Sequence, residues 1–263
     1  KVRDLISKNT NAKFYISSCP EFLREGSALS DTLNPSRIVI GANTHYAKKI
    51  LVKLHERLPG ERVLTDLRTA ETIKYASNAF LAAKISFINE IANLCESSGA
   101  NVSDVALGMG LDPRIGKSFL NAGIGYGGSC FPKDTRALHS VATLHKYDFK
   151  LLKAIIEVNQ LQKRRFLDKI EIALGNLKTK RIGALGLAFK NKTDDVRESA
   201  ALEIISMLMK RGAKVSAYDP LASENAKKIL PNLTPRKKPE DVFEKADCVL
   251  ILTEWPEFKD LAW

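Results

Sequence analysis

The sequence contains no apolar run approaching the roughly 18 residues that would cross a membrane, and no signal-peptide pattern. The expectation is a soluble cytoplasmic protein with no membrane partner. Cysteine is scarce: Cys19, Cys95, Cys130 and Cys248 are scattered, with no CxxC or Cys/His ligand spacing. That pattern argues against a disulfide framework and against a zinc site, so no metal is expected. The net charge of +11 invites a nucleic-acid reading. The basic residues are spread along the chain, however, and no aromatic-interleaved basic motif accompanies them. A positive surface that steers small diphosphates explains the charge as well. The sequence also lacks a strand and glycine-rich turn ahead of its opening helix, with which a dinucleotide-binding domain begins.

What is present is organised around Gly123 to Asp134, GIGYGGSCFPKD. Glycines 123, 125, 127 and 128 allow positive φ and leave no β-carbon between the backbone and a ligand. Pro132 suits the first turn of a helix continuing as KDTRALHSVATLH. A thiol at that junction, Cys130, sees the positive end of the helix dipole with Lys133 near, and both favour the nucleophilic thiolate. A lone cysteine is otherwise a small buried hydrophobe; the glycines and the proline-started helix point instead to a covalent site beside a cradle for an anionic ligand. The spacing G-x-G-x-G-G is not the dinucleotide fingerprint, and the preceding SFLNA does not read as a strand.

With 263 residues, 44% of them hydrophobic, the chain can bury a sizeable core in about two domains. Residues 1–65 alternate helix and strand: KVRDLISKNT helical, AKFYISSC and SRIVIGA strands, HYAKKILVKLHERLPG a helix, RVLTD a third strand. This βαβ rhythm predicts a parallel sheet, the tail of a larger α/β domain. Between the first two strands lie Glu21 and Glu25, which share a face if that stretch is a helical turn and otherwise form a solvated acidic turn. Residues 66–97 carry the longest helical signal, with apolar or small residues at Ile73, Ala76, Phe80, Ala83, Phe87, Ile91 and Leu94, and Gly99 as the stop. About 30 helical residues span roughly 45 Å, long enough to join two domains and to serve a dimer contact. Lys74 and Asn78 lie on one face of that helix. A short helix over SDVALGMG follows, then the cysteine loop, then a long amphipathic helix from DFKLLK. A boundary near 176–180 precedes a second α/β unit, with strands at KRIGALGLAF, AKVSAYDP and DCVLILTEW and a helix at ESAALEIISMLMKRGA.

GYGGSCFPKD resembles the active-site segment of the UDP-glucose 6-dehydrogenase family, nucleotide-sugar dehydrogenases that oxidise an alcohol to an acid in two steps. PEFLREG, KYASNAF and GLAFK resemble further segments of that family, in the same order. The resemblance implies a remnant of an N-terminal Rossmann-like domain (1–65), a central helical dimerisation domain with the cysteine loop (66–177) and a C-terminal Rossmann-like, nucleotide-sugar-binding α/β domain (178–263). It implies NAD as cofactor, UDP-glucose as substrate and a homodimer through the central helix. Cys130 would carry a thiohemiacetal and then a thioester, with Lys74 and Asn78 stabilising the oxyanions. Asp134 would position a water or take a proton, and Glu21 would activate the water that releases the acid. Substrate contacts would fall to Phe22, Leu23, Glu25, Phe119, Asn121, Gly123, Tyr126, Gly127, Phe189 and Lys190, and to Arg114, which in the family reaches the uridine diphosphate of a neighbouring subunit. Lys133 and Glu25 would face the cofactor.

Two alternatives remain open at this point. A sister enzyme acting on GDP-mannose carries a similar cysteine loop, whereas branches acting on N-acetylated sugars carry histidine where Ser129 stands. The chain could instead be a non-catalytic module that binds a nucleotide sugar and dimerises. The family's glycine-rich NAD loop and its closing segment are not found between residues 1 and 263, so this stretch alone is expected to bind NAD poorly.

Overall fold

A computed structural model describes residues 2–262, which divide into two compact units with the cut between Ser77 and Asn78, inside one long helix. The first unit runs α1 (Val2–Asn9), β1 (Ser17–Ser18), α2 (Ala28–Leu33), β2 (Arg37–Ala42), α3 (His45–Leu54), β3 (Glu61–Thr65) and the start of α4 (Leu67–Ser98). Its sheet has the order β1-β2-β3, and β2 and β3 are parallel with Val39 opposite Val63. Near-continuous burial of Ile38, Val39, Ile40 and Ala42 is what a β-branched strand covered on both faces requires. Thr44 caps α3 by accepting from the Ala47 amide at 3.2 Å. Asp66 does the same for α4, accepting from the amide and hydroxyl of Thr69 at 3.0 and 2.6 Å.

The stretch expected as a strand over AKFYISSC is paired only at Ser17–Ser18, and antiparallel, not parallel, against Gly41 and Ala42. It meets only the last two residues of β2 before the chain turns into α3, and Pro20 follows two residues after Ser18. Residues 19–24 are not helical, so Glu21 and Glu25 do not share a helix face. Leu23 donates its amide to the Glu21 carboxylate at 2.7 Å, closing a local turn instead.

The second unit holds the remainder of α4, α5 (Val102–Gly110), α6 (Phe131–Leu144), α7 (Lys150–Leu174) and a second sheet. That sheet is built from β4 (Arg181–Leu185), β5 (Lys214–Tyr218), β6 (Thr234–Pro235) and β7 (Cys248–Ile251), with α8 (Ala200–Lys210) and α9 (Ser223–Ile229) as crossovers. The order β6-β5-β4-β7 is parallel throughout, the 3-2-1-4 arrangement of a Rossmann-like half. Ile182, Ala184, Val215, Ala217 and Leu250 meet Ile204, Ile205 and Leu208 of α8, and Leu167 and Ile170 of α7 join the same core. Each fully buried Leu or Ile there contributes roughly 1.5–3 kcal/mol. Helix α7 is thereby tied to the sheet, and the helical residues from 78 onward and the second sheet form one body.

The apolar row chosen from the sequence on α4 is not its buried row: Phe80, Phe87 and Leu94 are 68%, 52% and 61% exposed. The helix packs through Asn78, Ala79, Ala82, Ser86, Ile88, Asn89 and Cys95 instead.

Candidate active site

Cys130 stands at the N-cap of α6, half-buried, and its carbonyl accepts the Asp134 amide at 2.8 Å. Pro132 in the first turn starts the helix as the sequence predicts. One turn below the thiol, Asp134 is 1% exposed. Its carboxylate accepts from Asn78 Nδ2 at 2.6 Å and pairs with the Lys133 ammonium. Such a buried carboxylate is tolerable because charge and a hydrogen-bond donor both reach it. The Ser129 hydroxyl lies 3.6 Å from the Cys130 sulfur.

Residues 121–130 have no helix or strand of their own. Gly125 and Gly128 take φ of +110° and +81°, and the reason for several of these glycines differs from the expected ligand cradle. A β-carbon on Gly127 would lie 2.2 Å from the Glu198 carbonyl oxygen; one on Gly128 would lie 2.8 Å from the Phe189 ring; one on Gly125 would lie 2.8 Å from Asn159 Oδ1. Protein atoms fill those places. Only Gly123 of the four has open space where a side chain would go.

The segment after β4 is thus brought against the cysteine loop. Gly128 donates its amide to the Arg197 carbonyl at 3.0 Å, and Arg136 of α6 pairs with Glu198 at 2.7 Å. That hydrogen bond from the guanidinium holds the Glu198 carboxyl below its ordinary range. The Lys190 ammonium sits 5.8 Å from the Phe189 ring centroid. Tyr126 is buried with its ring edge-on to Phe131, and burial pushes its phenol up, opposed by a hydrogen bond with Thr135. Phe119 has left-handed φ of 65° and faces Phe131 at 6.0 Å. Asn121 is exposed, and Arg114 is an exposed residue forked onto the Asp112 carboxylate at 2.6 Å.

In the first unit the structure brings together Glu21, Phe22, Leu23 and Lys74. The Lys74 ammonium donates to the Glu21 carboxylate at 2.9 Å and to its carbonyl at 2.6 Å. Arg37 stacks 3.7 Å from the Phe22 ring centroid, and Lys74 lies 5.4 Å from it. Glu25 is half-buried in the turn that follows. Lys74 and Asn78 are one turn apart on α4, as their spacing predicts.

Sequence reasoning missed several residues that shape these elements. Asn159 bonds the Tyr126 backbone from α7, and Asp219 at the end of β5 accepts from the Leu187, Ala188, Leu221 and Ala222 amides and from the Trp255 indole. The signal for Asn159 was present. The buried row of α7 reads Leu152, Ile155, Asn159, Lys163, Leu167, Ile170, an apolar stripe interrupted by two polar residues.

Three family models cover most of the chain. Residues 1–59 match the NAD binding domain of the UDP-glucose/GDP-mannose dehydrogenase family, residues 68–161 its central domain and residues 183–263 its UDP binding domain. The chain belongs to that family. It is 50% identical over 265 residues to UDP-glucose 6-dehydrogenase TuaD of Bacillus subtilis, covering 99% of this chain and 57% of that protein. A UDP-glucose 6-dehydrogenase of Rickettsia conorii is 50% identical over 260 residues, covering 97% of this chain and 60% of that protein. Among solved structures, a UDP-glucose dehydrogenase from Pyrobaculum islandicum superimposes with a TM-score of 0.97 at 40% identity, over 100% of this chain and 61% of that one. The chain therefore spans about three-fifths of the length of these relatives.

Proposed function

We propose that the protein containing this chain is a cytoplasmic enzyme that oxidises UDP-glucose to UDP-glucuronate with NAD, using Cys130 as the covalent nucleophile. The observation that carries the reading is a half-buried thiol at the N-terminus of α6, one turn from a buried carboxylate that Asn78 and Lys133 both engage. The named relatives, all UDP-glucose dehydrogenases at 40–50% identity, favour UDP-glucose over GDP-mannose.

The Cys130 sulfur adds to the aldehyde carbon produced by the first oxidation, and the carbonyl oxygen becomes the oxyanion of a thiohemiacetal. Loss of hydride from that carbon leaves a thioester on the same sulfur. Water then attacks the thioester carbon, the carbon–sulfur bond breaks, and the acid leaves with the thiol restored. Asn78 supplies a hydrogen-bond donor and Lys74 fixed positive charge for the oxyanions. Asp134 positions a water or takes a proton beside the thiol. Glu21, held by Lys74, assists the water. Phe22, Leu23, Glu25, Phe119, Asn121, Gly123, Tyr126, Gly127, Phe189, Lys190 and Arg114 are assigned to the nucleotide sugar.

NAD, when bound, accepts the hydride of each oxidation. The β2–α3–β3 unit, with α3 started by Thr44 just beyond the carboxyl end of β2, is the kind of parallel unit beside which dinucleotides bind, so the chain fits part of such a site. Lys133 and Glu25 are the residues assigned to the cofactor side. We assign the chain three functional parts, 1–65, 66–177 and 178–263. We also assign α4 to a homodimer contact, because Phe80, Phe87 and Leu94 recur at seven-residue spacing on an exposed face.

The test is the full-length protein with UDP-glucose and NAD, following NADH and product by mass spectrometry. Two NADH per UDP-glucuronate are expected, no acid from Cys130→Ser, and a Cys130-linked adduct accumulating in Glu21→Gln. Turnover of GDP-mannose in preference to UDP-glucose, or acid formation by Cys130→Ser, would overturn the assignment.

A further inference from the structure

Three side-chain amides converge on the segment that leads into Cys130. We infer that Asn159, supported by Gln162 and Asn89, is the positioning residue of the cysteine loop, pairing with Tyr126 much as a neighbouring strand would. Asn159 is 4% exposed on the buried face of α7. Its Oδ1 accepts the Tyr126 amide at 2.7 Å, and its Nδ2 donates to the Tyr126 carbonyl at 3.0 Å. Two bonds from one planar group fix orientation as well as distance. The backbone they hold would otherwise be a buried amide and carbonyl without partners.

Gly125 and Asn159 are parts of one fit. A β-carbon on Gly125 would lie 2.8 Å from Asn159 Oδ1, and the φ of +110° is itself suited to glycine. Gln162, further along α7, donates to the Gly123 carbonyl at 2.9 Å, and Asn89 of α4 accepts the Gly123 amide at 2.8 Å. Asn89 engages the loop through its oxygen alone, since its Nδ2 has no hydrogen-bond partner among the described residues. Asn159 is therefore the stronger anchor. Downstream the Gly128 amide is held by the Arg197 carbonyl. Between these points the loop has no regular structure, so the amides determine how the chain enters α6 and where the thiol lies over Asp134. This inference rests on the reading of Cys130 as the nucleophile, because only a reacting thiol makes that position matter to turnover.

The experiment uses full-length protein with Asn159→Ala and Asn159→Asp, read by amide hydrogen exchange and by steady-state kinetics. Exchange at the Tyr126 amide should rise about tenfold or more in Asn159→Ala, the loss of one buried hydrogen bond. Asn159→Asp keeps the acceptor but replaces the Nδ2 donor with an oxygen that faces the Tyr126 carbonyl, so exchange at that amide should rise there too, by less than in Asn159→Ala. Exchange in α6 and α7 should stay unchanged in both. In Asn159→Ala kcat for UDP-glucose oxidation should fall at least about tenfold. Unchanged Tyr126 exchange, a uniform rise across α6 and α7, or a loosened loop with normal kcat would each overturn the inference. If the parent itself fails to oxidise UDP-glucose, the proposed activity falls, and the exchange measurement still decides whether Asn159 holds the loop.

Discussion

Replacing Gly127 with alanine separates a glycine kept for ligand access from one kept for packing. The added β-carbon would lie 2.2 Å from the Glu198 carbonyl oxygen and 3.1 Å from its carbonyl carbon, against a floor of 3.0 Å for real contacts. Something must therefore move by about 0.8 Å, and the obstacle is backbone, not the tip of a flexible side chain. That backbone is already constrained: Glu198 has φ of 50°, its side chain pairs with Arg136, and the neighbouring Arg197 carbonyl holds Gly128. Overpacking of this kind costs about 1–3 kcal/mol, and the rigid neighbour puts Gly127→Ala near about 3 kcal/mol. For a body of this size that lowers Tm by roughly 6–12 °C. Gly123→Ala is the control, because among the described residues nothing lies within 4 Å of its β-carbon position. It should be neutral within about 0.5 kcal/mol, or slightly stabilising through lost unfolded-state freedom. Urea unfolding of parent and both variants gives the comparison. A Gly127→Ala variant within about 0.5 kcal/mol of the parent, or a Gly123→Ala variant equally damaged, would refute the reasoning.

Three further outcomes follow from other contacts. Lys163 is buried on α7 and paired with Glu203 of α8, so Glu203→Gln, which removes its hydrogen-bonded carboxylate and leaves it only the electrostatic interaction with Glu198, should cost about 2 kcal/mol in urea unfolding. Lys163→Met, which removes the charge and keeps the volume, should cost less than half as much; the reverse ranking would show that the pair itself stabilises. Arg136 lowers the Glu198 carboxyl, so the stability this pair adds is complete above the ordinary carboxylate range and lost as pH falls through the lowered value. Glu198→Gln should then be less stable than the parent at pH 7 by under about 1 kcal/mol, since both groups are half exposed, and the gap should close below about pH 4. Finally, Phe87→Glu places a charge in the exposed apolar row of α4 and should convert a dimer to monomer in analytical ultracentrifugation. A monomeric parent would refute the dimer, and a dimer unaffected by the substitution would move the contact elsewhere.

Much of this protein is legible in the residue order because the governing forces are local. The long helix α4 follows from sustained three- and four-residue spacing, and its end from Gly99, which has φ of +77°. The start of α6 beside Cys130 follows from Pro132, and the parallel second sheet from alternating strand and helix patterns. The motif segments likewise carry the family, since they are contiguous residues in order. What the order alone could not decide is which surface meets which. Period counting shows that α4 is helical but not which face is covered, and the row containing Phe80, Phe87 and Leu94 is as periodic as the buried one. A glycine permits close approach without saying by what, so the tight places at Gly125, Gly127 and Gly128 became packing against Asn159, Glu198 and Phe189 only in three dimensions. Asn159 lies 33 positions beyond Tyr126, and Asp134 lies 56 beyond Asn78. Hydrogen bonds of that span depend on tertiary packing, because no local rule brings their partners within reach.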